Sequence, residues 1–302
     1  MKGMPIALAI EPTTACNLRC PECPSGLRSF SRNTGNLDQK MFEKVIENQK
    51  KTLVHLTFYF QGEPFIHKGF LDMVKFASDR GIYTSTSTNA HFLDEKTCEK
   101  VMESHLDRMI ISIDGTDQET YSQYRKGGTL SKVLEGTENM VKARNNSSLK
   151  GPELVFQFLV VKPNEHQIED VKKLAKKIGV DRVAFKTAQL YDFEQGNELM
   201  PTQDKYSRYR WDASLQKFRI KNTLEDQCWK MWHSCVITWD GHVVPCCFDK
   251  DAAHRMGSVQ ETPLSEIWKG PIYDAFRSQI LESRGQVEMC KNCSEGTRVF
   301  AS

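Results

Sequence analysis

The chain has 302 residues, of which 41 are basic and 39 are acidic. This length suits one large domain, or one domain with a smaller module, and the balance of charge gives no electrostatic case for binding nucleic acid. No apolar run approaches the roughly 18 residues that a membrane-spanning helix needs, so we expect no membrane partner. Ten cysteines without an evident export signal favour metal binding or catalysis over disulfides, and we therefore expect a cytoplasmic protein.

Strand and helix patterns alternate through the first 190 residues. Strands are predicted over 5–10, 53–60, 82–88, 108–113, 154–161 and 182–187. Helices are predicted over 37–50, 70–79, 94–105, 130–144 and 167–178. Strands that alternate with helices of this length imply parallel β-α units with right-handed crossovers, and six such units form a partial (β/α)6 parallel barrel. The predicted fold class is therefore α/β, with functional residues at the C-terminal ends of the strands.

Three closely spaced cysteines follow the first predicted strand, as Cys16, Cys20 and Cys23 in a C-x3-C-x2-C run. Cysteine sulfur is the usual protein ligand of iron–sulfur clusters, and a four-iron cluster would keep one iron that no cysteine of the run reaches. A helix that buries all three is one alternative, but a proline inside a helix costs about 3 kcal/mol, and Pro21 interrupts the run. Zinc is the other alternative, but it usually takes four ligands and no fourth Cys or His lies nearby. We interpret the run as a loop that holds an iron–sulfur cluster.

Polar side chains and turn sequences mark the ends of the next predicted strands. The second strand runs into Gly-Glu-Pro, which alone is an ordinary turn sequence. The third strand is polar on both faces, whereas a parallel strand buried on both sides is normally apolar, so one face is expected to line a functional lumen. The candidate residues at or after these strand ends are Gly62, Glu63, Ser87, Asn89, Ser112, Asp114 and Arg125. For Arg125, a solvated surface position is an equal alternative.

A second set of cysteines lies in the C-terminal part of the chain. An Asp-Gly turn at 240–241 between β-rich runs predicts a hairpin, which would bring Cys228 near Cys246. Cys290 and Cys293 form a C-x2-C pair near the end of the sequence, and four such thiols could also hold zinc. The predicted divisions of the chain are a barrel over 1–190, a polar connection over 191–227, and a small cysteine-rich β-hairpin plus helix module over 228–302.

The first cysteine run resembles the signature of the radical S-adenosylmethionine (SAM) superfamily, although many members have an aromatic residue where Glu22 stands. The turn after the second strand resembles the G-G-E-P motif of that family, with Gln61 in place of the first glycine, and Arg125 opens an R-x-x-G element. The resemblance implies a [4Fe-4S] cluster on the three cysteines, with SAM chelated to its fourth iron and contacted by the strand-end candidates. It also implies that the reduced cluster cleaves SAM to methionine and a 5′-deoxyadenosyl radical, which takes a hydrogen atom from substrate.

The C-terminal cysteines resemble the SPASM module, or its shorter twitch form, which accompanies some radical SAM barrels. The P-C-C-x-D string over 245–249 and a predicted helix over 264–268 match its usual sequence. The resemblance implies an auxiliary iron–sulfur cluster, again expected as [4Fe-4S]. Its expected ligands are Cys228, Cys246, Cys290 and Cys293, with Cys235 and Cys247 in reserve.

The resemblance also implies a kind of reaction. By analogy with smaller members that include an aminocyclitol dehydrogenase, we expect oxidation of a small polar metabolite, with Asp249 as the base and the auxiliary cluster as electron acceptor. A low-potential donor of the flavodoxin or ferredoxin type would supply electrons. The first alternative is a peptide or protein maturase, which a substrate docked on 189–227 would favour. The remote alternative is a non-catalytic binding module stabilised by zinc.

Overall fold

The computed structural model describes residues 3–296. Its strands are β1 (Ala7–Ile10), β2 (His55–Thr57), β3 (Tyr83–Thr88), β4 (Arg108–Ser112), β5 (Glu153–Val160), β6 (Arg182–Thr187), β7 (Tyr209–Asp212), β8 (Lys217–Ile220), β9 (Ser234–Ile237), β10 (His242–Val244) and β11 (Gly257–Ser258). Its α-helices are α1 (Pro24–Leu27), α2 (Gln39–Gln49), α3 (Phe70–Ser78), α4 (Glu95–Glu103), α5 (Gln118–Tyr124), α6 (Leu130–Asn146), α7 (Ile168–Ile178), α8 (Lys230–His233), α9 (Leu264–Lys269), α10 (Pro271–Ser283) and α11 (Glu288–Lys291).

The strands β1 to β6 form a parallel sheet in sequential order, as the alternating pattern predicts. Helices occupy every connection between them, and longer ones such as α2, α3 and α4 bury an apolar stripe. In α2 the buried stripe includes Phe42, Val45 and Ile46, and the ring of Phe42 lies 5.6 Å from that of Phe58 beyond β2. The expected α/β class is therefore confirmed. Because all six strands run the same way, their C-terminal ends meet at one edge of the sheet.

The C-terminal strands continue this sheet. On the side of β1 away from β2, β9 pairs in parallel and places Cys235 opposite Leu8. The next strand, β10, returns antiparallel to β9, and β11 follows it. Within the described residues, nine strands thus form one sheet in the order β11-β10-β9-β1-β2-β3-β4-β5-β6. β1 is therefore the strand that joins the barrel to the cysteine-bearing hairpin.

The segment over 191–227, which the sequence predicts to be irregular, contains a small antiparallel sheet. Its strands β7 and β8 pair with Tyr209 opposite Ile220. The turn between them is held by the Asp212 carboxylate, which accepts a hydrogen bond from the Ser214 N–H at 3.0 Å. This turn has neither the Asn-Gly nor the Asp-Gly sequence that marks a hairpin, so the sequence carries no clear signal for it.

Among the α-helices that are absent from the predicted elements, α5 and α10 are the longest. α10 begins with Pro271, a residue favoured in the first helical turn, and it buries Tyr273, Phe276 and Ile280. α5 is short and starts after Asp117, whose side chain accepts the Thr120 N–H. Of the helices between residues 3 and 296, none combines the length and the apolar character needed to cross a membrane.

A buried ion pair joins the segment after β1 to the C-terminal hairpin. Glu11 accepts two hydrogen bonds from the Arg32 guanidinium, at 2.8 and 2.5 Å, and both side chains are buried. Trp239, in the turn between β9 and β10, donates its backbone N–H to the same carboxylate at 3.2 Å. Burial raises the pKa of Glu11, against the effect of Arg32. The carboxylate thus ties the entrance of the cysteine loop to the hairpin.

Replacing Arg32 with Met should destabilise the fold strongly, because Glu11 would stay buried without a counter-charge. Removal of one partner from a buried pair costs about 3–5 kcal/mol. Urea unfolding of the anaerobic holoenzyme should show this loss as a lower midpoint. Lys142→Met is the matched control, since it removes a partner of the exposed Glu95, and it should barely move the midpoint. Equal midpoints for the two variants would contradict a stabilising role for the buried pair.

Candidate functional site

The three cysteines of the first run lie in a loop between β1 and α1. Cys20 is buried, while Cys16 and Cys23 are half-buried, and all three pack in one small apolar cluster that includes Leu18. The Cys16 sulfur accepts the Leu18 N–H at 3.4 Å. Burial raises the pKa of Cys16 to about 11, whereas a thiol that coordinates a metal loses its proton. The loop therefore holds three thiols in a partly desolvated environment.

The turn after β2 packs directly against this loop. The Gly62 N–H donates to Ser25 Oγ at 2.9 Å, and the Glu63 N–H donates to the Ala15 carbonyl at 2.8 Å. Gly62 has φ +75°, and a Cβ there would lie 2.2 Å from the Thr13 carbonyl oxygen. Only glycine fits this close approach and this backbone conformation.

The candidate residues at the end of β3 lie between the turn after β2 and the cysteine loop. The Glu63 carboxylate accepts hydrogen bonds from Thr88 Oγ1 and from the Asn89 N–H, each at 2.7 Å. Burial raises the pKa of Glu63 to about 7, against the lowering effect of these bonds. The Asn89 side-chain amide donates to Asn17 Oδ1, also at 2.7 Å. Ser87 is half-buried on the same strand. The ends of β2 and β3 thus hold the cysteine loop in place.

The candidates after β4 form a second connection to the loop. Asp114 is fully buried, and its carboxylate accepts hydrogen bonds from Arg125 Nε at 2.5 Å and from the Leu159 N–H at 2.7 Å. Arg125 Nη1 lies 3.8 Å from the Cys20 sulfur. Arg125 is therefore bound to the site, and the solvated surface alternative does not describe it. Ser112 is buried at the end of β4.

The second cysteine set forms around Arg284. Burial raises the pKa of Cys290 to about 11, with Cys293 and Cys228 acting in the same direction and Arg284 opposing them. Arg284 Nη2 lies 3.4 Å from the Cys293 sulfur. A Cβ on Gly296, which has φ +85°, would lie 2.5 Å from the Cys228 sulfur. Three of the four expected auxiliary ligands therefore come together here.

The remaining tail cysteines lie on or beside β9 and β10. Cys246 is buried after β10, and both it and Cys228 contribute to raising the pKa of Tyr273, in which burial is the largest cause. Cys235 is buried within β9. Cys247 is exposed, with its sulfur 4.0 Å from Lys230 Nζ. Cys246 thus lies near Tyr273 together with Cys228, and Cys247 lies at the surface beside Lys230.

Both cysteine sets suit iron–sulfur clusters by the chemistry of their donors. Soft thiol ligands favour such clusters, and among residues 3–296 no three His, Cys, Asp or Glu side chains converge on a point where one metal ion would bind. Arg284 Nε is buried, and it has no hydrogen-bond partner within the described residues. A cluster at the tail cysteines would offer sulfur acceptors beside this donor. The residues present are therefore suited to hold iron–sulfur clusters.

Asp249 and its neighbour Lys250 lie close to the tail cysteines but differ in role. Both oxygens of the buried Asp249 carboxylate accept backbone N–H groups, from Ala253 and His254, at 2.8 Å each. This carboxylate holds a turn, so its geometry does not suit the expected base. Lys250, which sequence reasoning missed, lies near enough to Cys23 for that thiol to influence its pKa, which burial lowers.

An open groove of about 830 Å³ borders the cysteine loop. Its lining is mostly polar and comes from the cysteine loop, from α5 and the turn after it, from the segment after β5 and from the segment before β7. The lining residues are Pro21, Glu22, Ser122, Gln123, Lys126, Pro163, Asp192, Gln195, Gly196, Asn197, Glu198 and Leu199. The Glu22 carboxylate accepts the Tyr191 N–H at 2.9 Å, and Tyr191 OH in turn lies 3.3 Å from Lys250 Nζ. The groove wall is thus joined to both the loop and the tail.

Comparison with known families identifies the class of protein. Residues 10–178 match the model of the radical SAM superfamily, and residues 228–294 match SPASM, an iron–sulfur cluster-binding domain. The chain therefore belongs to the radical SAM superfamily and carries a SPASM domain. These matches confirm the expected cofactors, which are SAM and [4Fe-4S] clusters.

Particular relatives are similar over nearly the whole chain. A tungsten-containing aldehyde ferredoxin oxidoreductase cofactor-modifying protein of Pyrococcus furiosus is 24% identical, over 95% of this chain and 86% of its own length. A PqqA peptide cyclase of Gluconobacter oxydans is 26% identical, over 97% of this chain and 84% of its own. Among solved structures, anSMEcpe with bound AdoMet has a TM-score of 0.68 at 19% identity, covering 96% of this chain and 85% of that one. BtrN in complex with AdoMet and 2-DOIA has a TM-score of 0.59 at 18% identity, covering 98% and 95%.

Replacing Gly62 with Ala should impair cluster assembly at the loop, because the new methyl group would collide with the Thr13 carbonyl. Gly81 has the same φ of +75° with nothing within 4 Å of a Cβ, so Gly81→Ala is the matched control. It carries only the backbone strain, of about 1 kcal/mol. After anaerobic reconstitution, we expect reductive SAM cleavage to fall sharply in Gly62→Ala and to stay near wild type in Gly81→Ala. Equal cleavage by both variants would show that the close approach is unimportant.

Proposed function

We propose that this protein is a radical SAM maturase that modifies a peptide or protein side chain. The groove beside the cysteine loop is the observation that carries this proposal. Its lining includes Asp192 and residues 195–199, within the segment where a docked substrate favours a peptide over a small metabolite. The peptide cyclase relationship over 97% of the chain supports the same choice. The small-metabolite oxidation expected from the sequence has less support, and we do not retain it as the main function.

The proposed cofactor sites follow the two cysteine sets. Cys16, Cys20 and Cys23 would hold the initiating cluster, and Cys228, Cys246, Cys290 and Cys293 the auxiliary one. The SAM-binding candidates remain Gly62, Glu63, Ser87, Asn89, Ser112, Asp114 and Arg125. When bound, the reduced initiating cluster supplies the electron that cleaves SAM to methionine and a 5′-deoxyadenosyl radical, and the auxiliary cluster supplies an electron acceptor.

The chain's own residues would hold the substrate between these two sites. The groove presents amide and carboxylate side chains that can pair with the backbone of an extended peptide. Lys250 is hydrogen-bonded to Tyr191, the neighbour of the groove residue Asp192, and lies near Cys23. Since burial lowers the pKa of Lys250, we propose it, in place of Asp249, as the group nearest the reacting side chain that can exchange a proton. The net change would be loss of one carbon-bound hydrogen atom, one further electron and one proton.

The electron supply and the compartment complete the proposal. A low-potential donor of the flavodoxin or ferredoxin type would reduce the initiating cluster. The cytoplasm suits this chemistry, because its reducing conditions keep thiols free for metal ligation. All ten cysteines, each of which lies between residues 3 and 296, are free of disulfides.

Direct comparison of substrates tests the proposal. Reconstituted enzyme, SAM and a low-potential reductant are incubated with short peptides encoded beside the gene, and in parallel with polyols and aminocyclitols. We expect a peptide to lose the mass of two hydrogen atoms while 5′-deoxyadenosine accumulates, and Cys20→Ala protein to produce neither. Conversion of a small polyol with no peptide product would contradict the proposal.

A substitution that blocks the groove tests whether the peptide docks there. Gln195 is an exposed lining residue, so Gln195→Trp should raise KM for the peptide and leave SAM cleavage without substrate unchanged. Lys205→Trp is the control, since Lys205 is exposed in the same segment but outside the groove. An equal KM for both variants would place the peptide elsewhere.

Removal of tail ligands should separate the two clusters. Reconstituted protein should hold about eight irons if both clusters are four-iron cubanes, and Cys290→Ala with Cys293→Ala should lower this towards about four. Reductive SAM cleavage should persist because the loop and strand ends are intact, while peptide conversion should fail. Cys98→Ala is the control, since Cys98 lies in the core within α4, and it should keep full iron content. Zinc at the tail cysteines of carefully prepared protein would reject a redox role.

A further inference from the structure

Arg284 is a fully buried arginine, with 0% of its surface exposed, between the two ends of the tail cysteine set. Its guanidinium donates from Nη1 to the Gln227 carbonyl at 2.7 Å and from Nη2 to the Glu295 carbonyl at 2.6 Å. Gln227 directly precedes Cys228, and Glu295 follows Cys293. The side chain is therefore fixed by backbone on both sides of the cysteines, with Nη2 3.4 Å from the Cys293 sulfur.

The charge of Arg284 lacks the compensation that other buried arginines have. Arg32 pairs with Glu11, and Arg277 pairs with Asp274 at 2.9 Å. Within residues 3–296, no carboxylate forms an ion pair with the Arg284 guanidinium. The neighbouring Asp226 accepts the Arg284 backbone N–H instead. A buried charge needs a counter-charge. Apart from the two backbone carbonyls, the guanidinium contacts the Cys293 sulfur.

We propose that Arg284 is the counter-ion of the auxiliary cluster and raises its reduction potential. This inference rests on the proposed ligands Cys228, Cys290 and Cys293. A four-iron cluster with thiolate ligands is anionic and gains one further negative charge on reduction. A fixed positive charge in a buried site stabilises the reduced form more than the oxidised form, since little solvent screens it. Arg284 is therefore a positioning residue that favours acceptance of an electron.

Two substitutions separate charge from shape. Arg284→Lys keeps the positive charge, while Arg284→Gln keeps hydrogen-bond donors but removes the charge. Both proteins are reconstituted anaerobically as full chains, and iron content and redox titrations followed by electron paramagnetic resonance (EPR) are recorded. We expect Arg284→Gln to show a lower midpoint potential for the auxiliary cluster, or a loss of its iron, and Arg284→Lys to stay near wild type. The potential of the initiating cluster should be unchanged in both, which provides an internal control.

Each other outcome has a defined meaning. If the two variants match wild type in potential and iron content, the counter-ion role is wrong. If both variants change alike, the guanidinium shape and not its charge matters, and the proposal is again overturned. The wild-type titration tests whether the auxiliary cluster exists. The absence of an iron–sulfur signal from the tail would refute the proposed cluster itself. The substrate plays no part in these measurements, so failure of the peptide assignment would leave them interpretable.

Discussion

The arrangement of the site depends on the two-sided pairing of β1. β2 pairs on one side of this strand and β9 on the other, so the sheet of the barrel runs without a break into the cysteine-bearing hairpin. The segment that leaves the C-terminal end of β1 holds the first cysteine set and is bound through Glu11 to the turn of that hairpin. The relative position of the two cysteine sets is thus fixed by backbone hydrogen bonds and one buried carboxylate, rather than by a flexible linker.

The proposed substrate groove lies next to the contacts that join the cysteine loop to the tail. Tyr191 is hydrogen-bonded to Glu22 of the cysteine loop and to Lys250, and the next residue, Asp192, lines the groove together with residues 195–199. In the proposed function, a peptide in the groove would pass the cysteine loop and place one side chain near Lys250. Arg284 places a positive charge within the tail set, whereas the neighbouring Lys230 is paired with Glu295. Positive charge near an anionic cluster eases acceptance of an electron.

The sequence predicted the features that local patterns encode. The six β-α units have strong periodicity, and the cysteine spacings mark both cysteine sets. The attachment of β9 to β1 could not be predicted, because two short apolar strands more than two hundred residues apart carry no signal of their pairing. The β7–β8 turn lacks the usual turn residues, so it was missed. The role of Asp249 could not be predicted either, because its hydrogen bonds to a turn are visible only in the structure. No sequence motif marks Arg284 or Lys250, so neither residue could be singled out from the sequence.

The central claim is that one sheet carries two four-iron clusters, of which only the one at the β1 loop binds SAM. EPR of dithionite-reduced, reconstituted enzyme with and without SAM tests this most directly. The account predicts two reduced-cluster signals, only one of which changes when SAM is added. A single signal, or two signals that SAM alters equally, would contradict it.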